Sequence, residues 1–167
     1  AQKGTMRFER VTEFGNGYIQ DIMEDSQGNI WIAAMGNGLY KYNIHSRKSK
    51  QYLADGKPGS ISSNSVSSIL EDSKGRIWVS TDRGGICCFQ NGAFQAYSLT
   101  EGLPDDIVYR AVEDAHGNIW FGTNHGLVRL EPDTKDVQVF DKKDGLSVSR
   151  FNYNSVAMTD KGTIFMG

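Results

Sequence analysis

Cysteine is almost missing from this chain, and the two that occur, Cys87 and Cys88, are neighbours. Neighbours on a strand point to opposite faces, so a bridge between them would be strained. Adjacent cysteines also match no CxxC metal spacing. They are expected as two small buried apolar residues, and no metal or cofactor site is read from the sequence. An excess of one charge is missing too. Lys plus Arg is 18 and Asp plus Glu is 20, a net charge of -2. That excludes the basic field that nucleic acid or an anionic membrane surface requires. No apolar run approaches the roughly 20 residues of a membrane-spanning helix, so no membrane contact is expected from this segment. Proline is scarce, at 3 residues, against 19 glycines and 11% aromatics. Short strands joined by tight turns fit that balance. The 167 residues suit one domain with a core that needs no covalent staple.

What is present is a repeat. Glu24-Asp25-Ser26-Gln27-Gly28-Asn29-Ile30-Trp31 returns as Glu71-Asp72-Ser73-Lys74-Gly75-Arg76-Ile77-Trp78. It returns again as Glu113-Asp114-Ala115-His116-Gly117-Asn118-Ile119-Trp120. A worn fourth copy reads Met158-Thr159-Asp160-Lys161-Gly162-Thr163-Ile164-Phe165. The steps from Trp31 to Trp78, Trp120 and Phe165 are 47, 42 and 45 residues. Periods of about 40 to 45 belong to propeller blades or to helical repeats, and the local pattern separates them. Short apolar alternations (Ile19, Ile22; Val66, Ile69; Val108, Ala111; Tyr153, Val156) precede each turn. Runs of β-branched and aromatic residues follow it, bounded by Gly, Asn and Asp, which is strand chemistry. No stretch keeps a 3.6-residue period. Each repeat is therefore predicted to be four antiparallel strands, one blade of an all-β propeller.

Phe8 aligns with the fourth-strand residues Tyr52, Tyr97 and Phe140. Residues 1–14 are thus expected to supply the outer strand of a preceding blade and a lead-in loop. Blades are expected over 15–60, 61–102 and 103–145, with a half blade over 146–167. The reading is a single incomplete propeller, a piece of a longer protein, with three full blades and partial blades at both ends.

The repeated residues read as scaffold. Gly28, Gly75, Gly117 and Gly162 supply the positive φ of a tight turn. Asp25, Asp72 and Asp114 accept hydrogen bonds from turn amides, and Trp31, Trp78 and Trp120 fill the space between blades. The Asp-x-Asp-x-Asp-Gly spacing of a calcium loop is absent. Valine is expected to cost more at Gly75, in a turn, than at Gly102, in a lead-in loop. Function is expected on the opposite face, where the tips between strands two and three and the lead-in loops vary between copies. Candidate ligand-binding residues there are Asn37, Arg83, Asn124, His125 and Arg110, with Tyr18 or Tyr109 as an aromatic platform.

The phrase Glu-Asp-x-x-Gly-x-Ile-Trp followed by a Gly-Leu-x-x-Tyr strand resembles the two-component regulator propeller repeat. So do Glu101-Gly102-Leu103-Pro104-Asp105-Asp106 and Asp144-Gly145-Leu146-Ser147. The segment Phe151-Asn152-Tyr153-Asn154-Ser155, with the strand ending at Gly167, looks like a late blade of such sensors. The resemblance spans the chain from about Phe8 to Gly167. It implies the periplasmic sensor region of a hybrid two-component protein of Bacteroides-type bacteria. Such proteins answer glycan fragments by inducing polysaccharide-degrading genes, and their histidine kinase lies outside this chain. His45, His116 and His125 all fall in turns or strand ends, not on a phosphoacceptor helix. Two features depart from the family pattern: Ile32-Ala33-Ala34 in place of Gly-Thr, and Thr159 in place of the turn aspartate. No ligand-binding residue of the family has a motif to match here.

The leading expectation is a non-catalytic sensor propeller that binds an oligosaccharide. Two other classes stay open. One is a protein-interaction propeller. The other is a sialidase- or lyase-like propeller enzyme. For that class Arg83, Arg110 and Arg150 lie near varied loops, but the Ser-x-Asp-x-Gly-x-Thr-Trp order is missing. Open blade edges are expected to make the chain self-associate, as an uncapped repeat array does.

Overall fold

Every full repeat folds as one antiparallel sheet whose strands pair in chain order. The computed structural model describes residues 10–11, 14–15, 17–148 and 150–167. The strand expected around Phe8 lies outside the described residues. The first sheet holds β1 (Tyr18–Glu24), β2 (Asn29–Met35), β3 (Gly38–Asn43) and β4 (Lys48–Tyr52). The second holds β5 (Val66–Glu71), β6 (Ile77–Thr81), β7 (Ile86–Gln90) and β8 (Ala93–Tyr97). The third holds β9 (Val108–Glu113), β10 (Ile119–Thr123), β11 (Gly126–Glu131) and β12 (Asp136–Phe140). A two-stranded sheet, β13 (Val156–Met158) and β14 (Ile164–Met166), follows. These are all-β propeller blades. The pairing of first and second strands shifts register near the start of the inner strand in each blade, between Ile19 and Asp21, Val66 and Ser68, and Phe121 and Thr123. A bulge there bends the inner strand.

The core lies between sheets rather than within one. Trp31, Ala33 and Leu39 of the first blade bury against Val66, Ile69, Ile77, Val79, Cys87 and Phe94 of the second. Trp78, Ile86, Cys88 and Tyr97 of the second bury against Val108, Ala111, Ile119, Phe121, Val128 and Leu130 of the third. Strand β6 is buried at every position because a blade covers each of its faces. The alternation of a strand explains the cysteines. Cys87 faces the first blade and Cys88 the third, both free thiols, and burial pushes the Cys88 thiol up to about 11.

Each Asp-x-x-Gly turn is held by its aspartate. Asp25 Oδ1 accepts from the amides of Gln27 and Asn29 at 3.0 and 2.8 Å, and Oδ2 accepts from Trp31 Nε1 at 2.8 Å. Asp72 and Asp114 repeat the set, with Trp78 and Trp120 Nε1 also at 2.8 Å. One carboxylate thus ties the turn backbone to the indole that packs the neighbouring blade. In the fourth copy both ends of that bond change together. Thr159 stands for the aspartate and Phe165, whose ring has no N–H, for the tryptophan. The turn glycines have φ of 77, 75, 83 and 81°. Gly102 has φ 98° and closes a 3-10 turn, Leu99–Glu101, capped by Ser98 and Glu101. Both Gly75 and Gly102 therefore need the left-handed region, and the expected difference between them has no backbone basis.

A second fastening joins blades directly. The amide and hydroxyl of Ser26 donate to Glu71 at 2.7 and 2.7 Å, across to the next blade. Ser73 does the same to Glu113 at 2.7 and 2.6 Å. At the third junction the corresponding residues are Ala115 and Met158, so again both partners differ together. The second turn adds Arg76, 6% exposed, bonded to Asp72 by Nε at 2.5 Å and to Asp133 of the third blade at 3.2 Å.

Asp72→Ala should therefore destabilise by about 3–5 kcal/mol, because it leaves a buried guanidinium without its main partner. Urea denaturation should show a smaller loss for Asp114→Ala, whose turn has Asn118 in place of that arginine. Acid should act through the same groups. Burial alone would raise the carboxyls of Asp25 and Asp114, but bonds from the indoles and from Asn29 and Asn118 outweigh it and hold both below the usual range. A folded value below the unfolded one gives stability that is fully present above the unfolded value, ~3.9, and is lost as pH falls below it and through the folded value. The urea midpoint should drop on acidification below the unfolded value, and less steeply in Asp25→Asn.

Candidate functional site

The tips and lead-in loops are tied to one another by backbone. Gly38 N donates to Asn64 O at 2.8 Å, so the first tip rests on the second blade's lead-in loop. Gly84 and Gly85 N donate to Asp106 O at 3.0 and 2.8 Å, which seats the second tip on the third blade's loop. A Cβ on Gly85 would run into the Tyr97 carbonyl, so that close approach requires glycine. Arg83, beside it, has φ 65°, an uncommon conformation for a long side chain. The variable loops are thus held by a rigid frame.

At the meeting of the second, third and half blades, several side chains converge. Tyr109 OH donates to Asn124 Oδ1 at 2.7 Å. His125 Nδ1 lies 2.6 Å from Asp105 Oδ2. The Tyr109 ring meets Tyr153 edge to face at 4.9 Å between centroids. Burial raises the Tyr153 phenol, with Asp82 and Tyr109 adding to the rise and Arg83 opposing it. The second tip therefore lies within electrostatic reach of this tyrosine pair. For Tyr109 burial again leads, opposed by Arg150 and reinforced by Asp105 and Asp82.

Four of the seven expected residues, Arg83, Tyr109, Asn124 and His125, fall in this group. Tyr109 does not serve as a platform: it is 8% exposed, because the inner strand turns it under Tyr153 and Asn124. Tyr18 and Asn37 belong to the first blade, away from the cluster. Tyr18 is 82% exposed, and the Asn37 amide lies against Gly15 and Gly17. Arg110 reaches inward, with Nη1 4.0 Å from Asp21 on β1 and 3.5 Å from Asn154. Asp21 also accepts from Ile69 N at 2.9 Å. The inner strands therefore meet around Asp21 and Arg110.

Tyr153, Asp105 and Asp82 join the site although the sequence did not single them out. Tyr153 was expected as an apolar strand position, but β13 begins at Val156, and Tyr153 sits in a turn, 46% exposed. A hydrogen-bonding Asn on each side of it, Asn152 and Asn154, was the available signal. The assembled group offers an aromatic ring, guanidinium and amide donors, and carboxylate acceptors. That is equipment for recognising a polar, hydroxyl-rich ligand. Among the described residues no group of three or more His, Cys, Asp or Glu side chains is placed to hold a metal ion.

Residues 13–36, 60–83 and 102–125 match the family profile described as two component regulator propeller. The chain carries two-component regulator propeller repeats. Each match runs from a lead-in loop through the turn to a tip. Over 164 residues the chain is 29% identical to histidine kinase P4 of Formosa agariphila, covering 95% of this chain and 12% of that protein. Two solved structures from B. thetaiotaomicron, each described as the extracellular domain of a hybrid two component system, are 26% identical to it. One aligns with a TM-score of 0.84 over 100% of this chain and 23% of its own. The other aligns with 0.72 over 89% and 21%. The chain thus spans less than a quarter of each of these relatives.

The tyrosine pair gives a test of the geometry. Tyr109→Phe keeps the ring contact and removes the bond to Asn124, and should cost about 1 kcal/mol. Asn124→Ala strands the hydroxyl and should cost more, about 1–3 kcal/mol. Thermal melts that rank the two in the opposite order would place the hydroxyl in water rather than on Asn124.

Proposed function

We propose that this chain is part of the extracytoplasmic, periplasmic sensor region of a hybrid two-component signalling protein, and that it binds a glycan fragment on its tip face. In this reading the chain performs no catalysis. A histidine kinase elsewhere in the same polypeptide relays binding to genes for polysaccharide use. The propeller repeats and the likeness to extracellular sensor domains support the class. The observation that carries the ligand reading is the half-exposed Tyr153, braced by Tyr109 and within electrostatic reach of Arg83 and Asp82, with the His125–Asp105 pair next to Asn124, the partner of Tyr109. A sugar ring stacks its C–H face on an aromatic ring and gives its hydroxyls to charged and amide partners. The opposite face is occupied with fastening blades together.

Isothermal titration of the chain with a panel of plant and algal oligosaccharides tests this. At least one should bind, and Tyr153→Ala should weaken it about tenfold, the loss of roughly 1.4 kcal/mol. Gln27→Ala, on the turn face, should leave it unchanged. Chromatography of the incubated sugar should recover it intact, whereas shortened products would assign the enzyme class. Resonance shifts confined to the Asp-x-x-Gly turns would remove the tip face from consideration.

A further inference from the structure

Three arginines lie near the varied loops, and two of them serve no purpose in the fold. Arg110 is engaged, with Nη1 4.0 Å from Asp21 and 3.5 Å from Asn154. Arg83 and Arg150 are exposed, and neither forms a hydrogen bond or ion pair with another described residue. The backbone brings both to the tyrosine site. Bonds from Gly84 and Gly85 to Asp106 O seat the tip that carries Arg83 on the third blade's lead-in loop. Phe151 N donates to Thr123 O at 3.3 Å, which hangs the segment carrying Arg150 and Tyr153 on the end of β10. Both guanidiniums are within electrostatic reach of the tyrosine pair.

The carboxylates beside them are spent differently. Asp105 Oδ1 accepts from Ile107 N at 2.7 Å. Its Oδ2 holds His125 Nδ1, which must be the donor because a carboxylate only accepts. Asp106 Oδ1 accepts from Leu99 N at 2.9 Å. Of these three neighbouring aspartates, Asp82 alone has a carboxylate with no hydrogen bond among the described residues. The uncommitted charge of the site is therefore two guanidiniums against one carboxylate. Arg83 is also held at φ 65°, in the left-handed region where a long side chain is strained. Its guanidinium gives the fold no bond in return. Strain kept without a structural return points to a task outside the fold.

We propose that the tip site selects an acidic sugar, one bearing a carboxylate or a sulfate, whose oxyanion meets the Arg83 and Arg150 guanidiniums while its ring stacks on Tyr153. This rests on the glycan reading above and adds the ligand's charge to it. A guanidinium presents a planar fork of donors that fits either oxyanion. Exposed and unpaired, these two break no bond of the fold when they bind. Asp82 is left to accept a sugar hydroxyl. A neutral sugar would leave the surplus positive charge unanswered, so the site discriminates by charge.

Isothermal titration of the chain with two matched pairs tests this. One pair is an oligogalacturonate and its methyl ester; the other is a sulfated galacto-oligosaccharide and its desulfated form. At least one acidic member should bind, about tenfold or more tighter than its uncharged twin, and more weakly as salt is added. Which pair responds tells carboxylate from sulfate. Arg83→Gly should weaken the acidic ligand about tenfold while leaving the thermal midpoint unchanged or higher, because glycine takes that φ freely. Arg150→Gln should weaken it too, with an unchanged circular dichroism spectrum. If the uncharged twin binds as tightly, or Arg83→Gly leaves the acidic ligand's affinity intact, selection by charge is wrong and glycan recognition stands. The same holds if only uncharged sugars of the wider panel bind. If no sugar of either kind binds, both readings fall. A clear drop in thermal midpoint for Arg83→Gly would make this arginine part of the frame and overturn the proposal.

Discussion

The indole–carboxylate bond inside each hairpin is the constraint on which the blades depend. A tryptophan between two sheets supplies much of the contact area, yet its ring nitrogen must be bonded once buried. The turn aspartate meets that need while organising the turn itself, at 2.8 Å in three copies. Local turn geometry and long-range packing are therefore set by the same carboxylate. Changing either end alone leaves a buried donor or a buried charge unmatched, a cost of the full desolvation kind. The worn fourth copy, with Thr159 and Phe165, has changed both.

Much of the architecture was legible because the period places equivalent residues in equivalent environments. Strand order, turn positions and the opposite orientations of Cys87 and Cys88 all follow from alternation and repetition. The bonds between residues were less legible. Asp25 and Trp31 stand at a constant spacing of six, as do the other two pairs, but spacing alone does not say that one bonds the other. The register shift at the start of each inner strand also escapes a simple alternation, and it is there that Tyr109 was misjudged as a platform. Tyr153 was misjudged in the other direction. An apolar alternation was extended one turn too early, and a residue read as an apolar strand position lies half-exposed at the centre of the candidate site. Arg76 replaces an asparagine seen in two sister turns, and nothing local announces that its guanidinium spans to Asp133.

The two faces divide the work by geometry. On the turn face, polar groups are consumed by the Asp–Trp and Ser–Glu bonds and by the Arg76 clamp. On the tip face, the loops are seated by backbone bonds such as those of Gly84 and Gly85 to Asp106, and by a few short side chains such as Ser63, which donates to Asp82 O, and Asn64, which accepts from Ala54 N. Side chains on that face outside these bonds, such as the exposed Tyr18, can differ from copy to copy without loosening a blade. A propeller built this way can vary its exposed loops while its frame stays constant.

The Ser–Glu fastening has an evolutionary consequence. Its partners lie on successive repeats, 45 residues apart for Ser26 and Glu71 and 40 for Ser73 and Glu113. Duplicating one repeat copies a donor and an acceptor that belong to different bonds, so the new unit fits its neighbours at once. Divergence is constrained in the opposite way. A serine can drift only in step with a glutamate in the following copy, never with the one beside it in its own. Coordinated change should therefore run diagonally along the lineage, from each unit to its successor, and the paired replacement at Ala115 and Met158 is one such diagonal step.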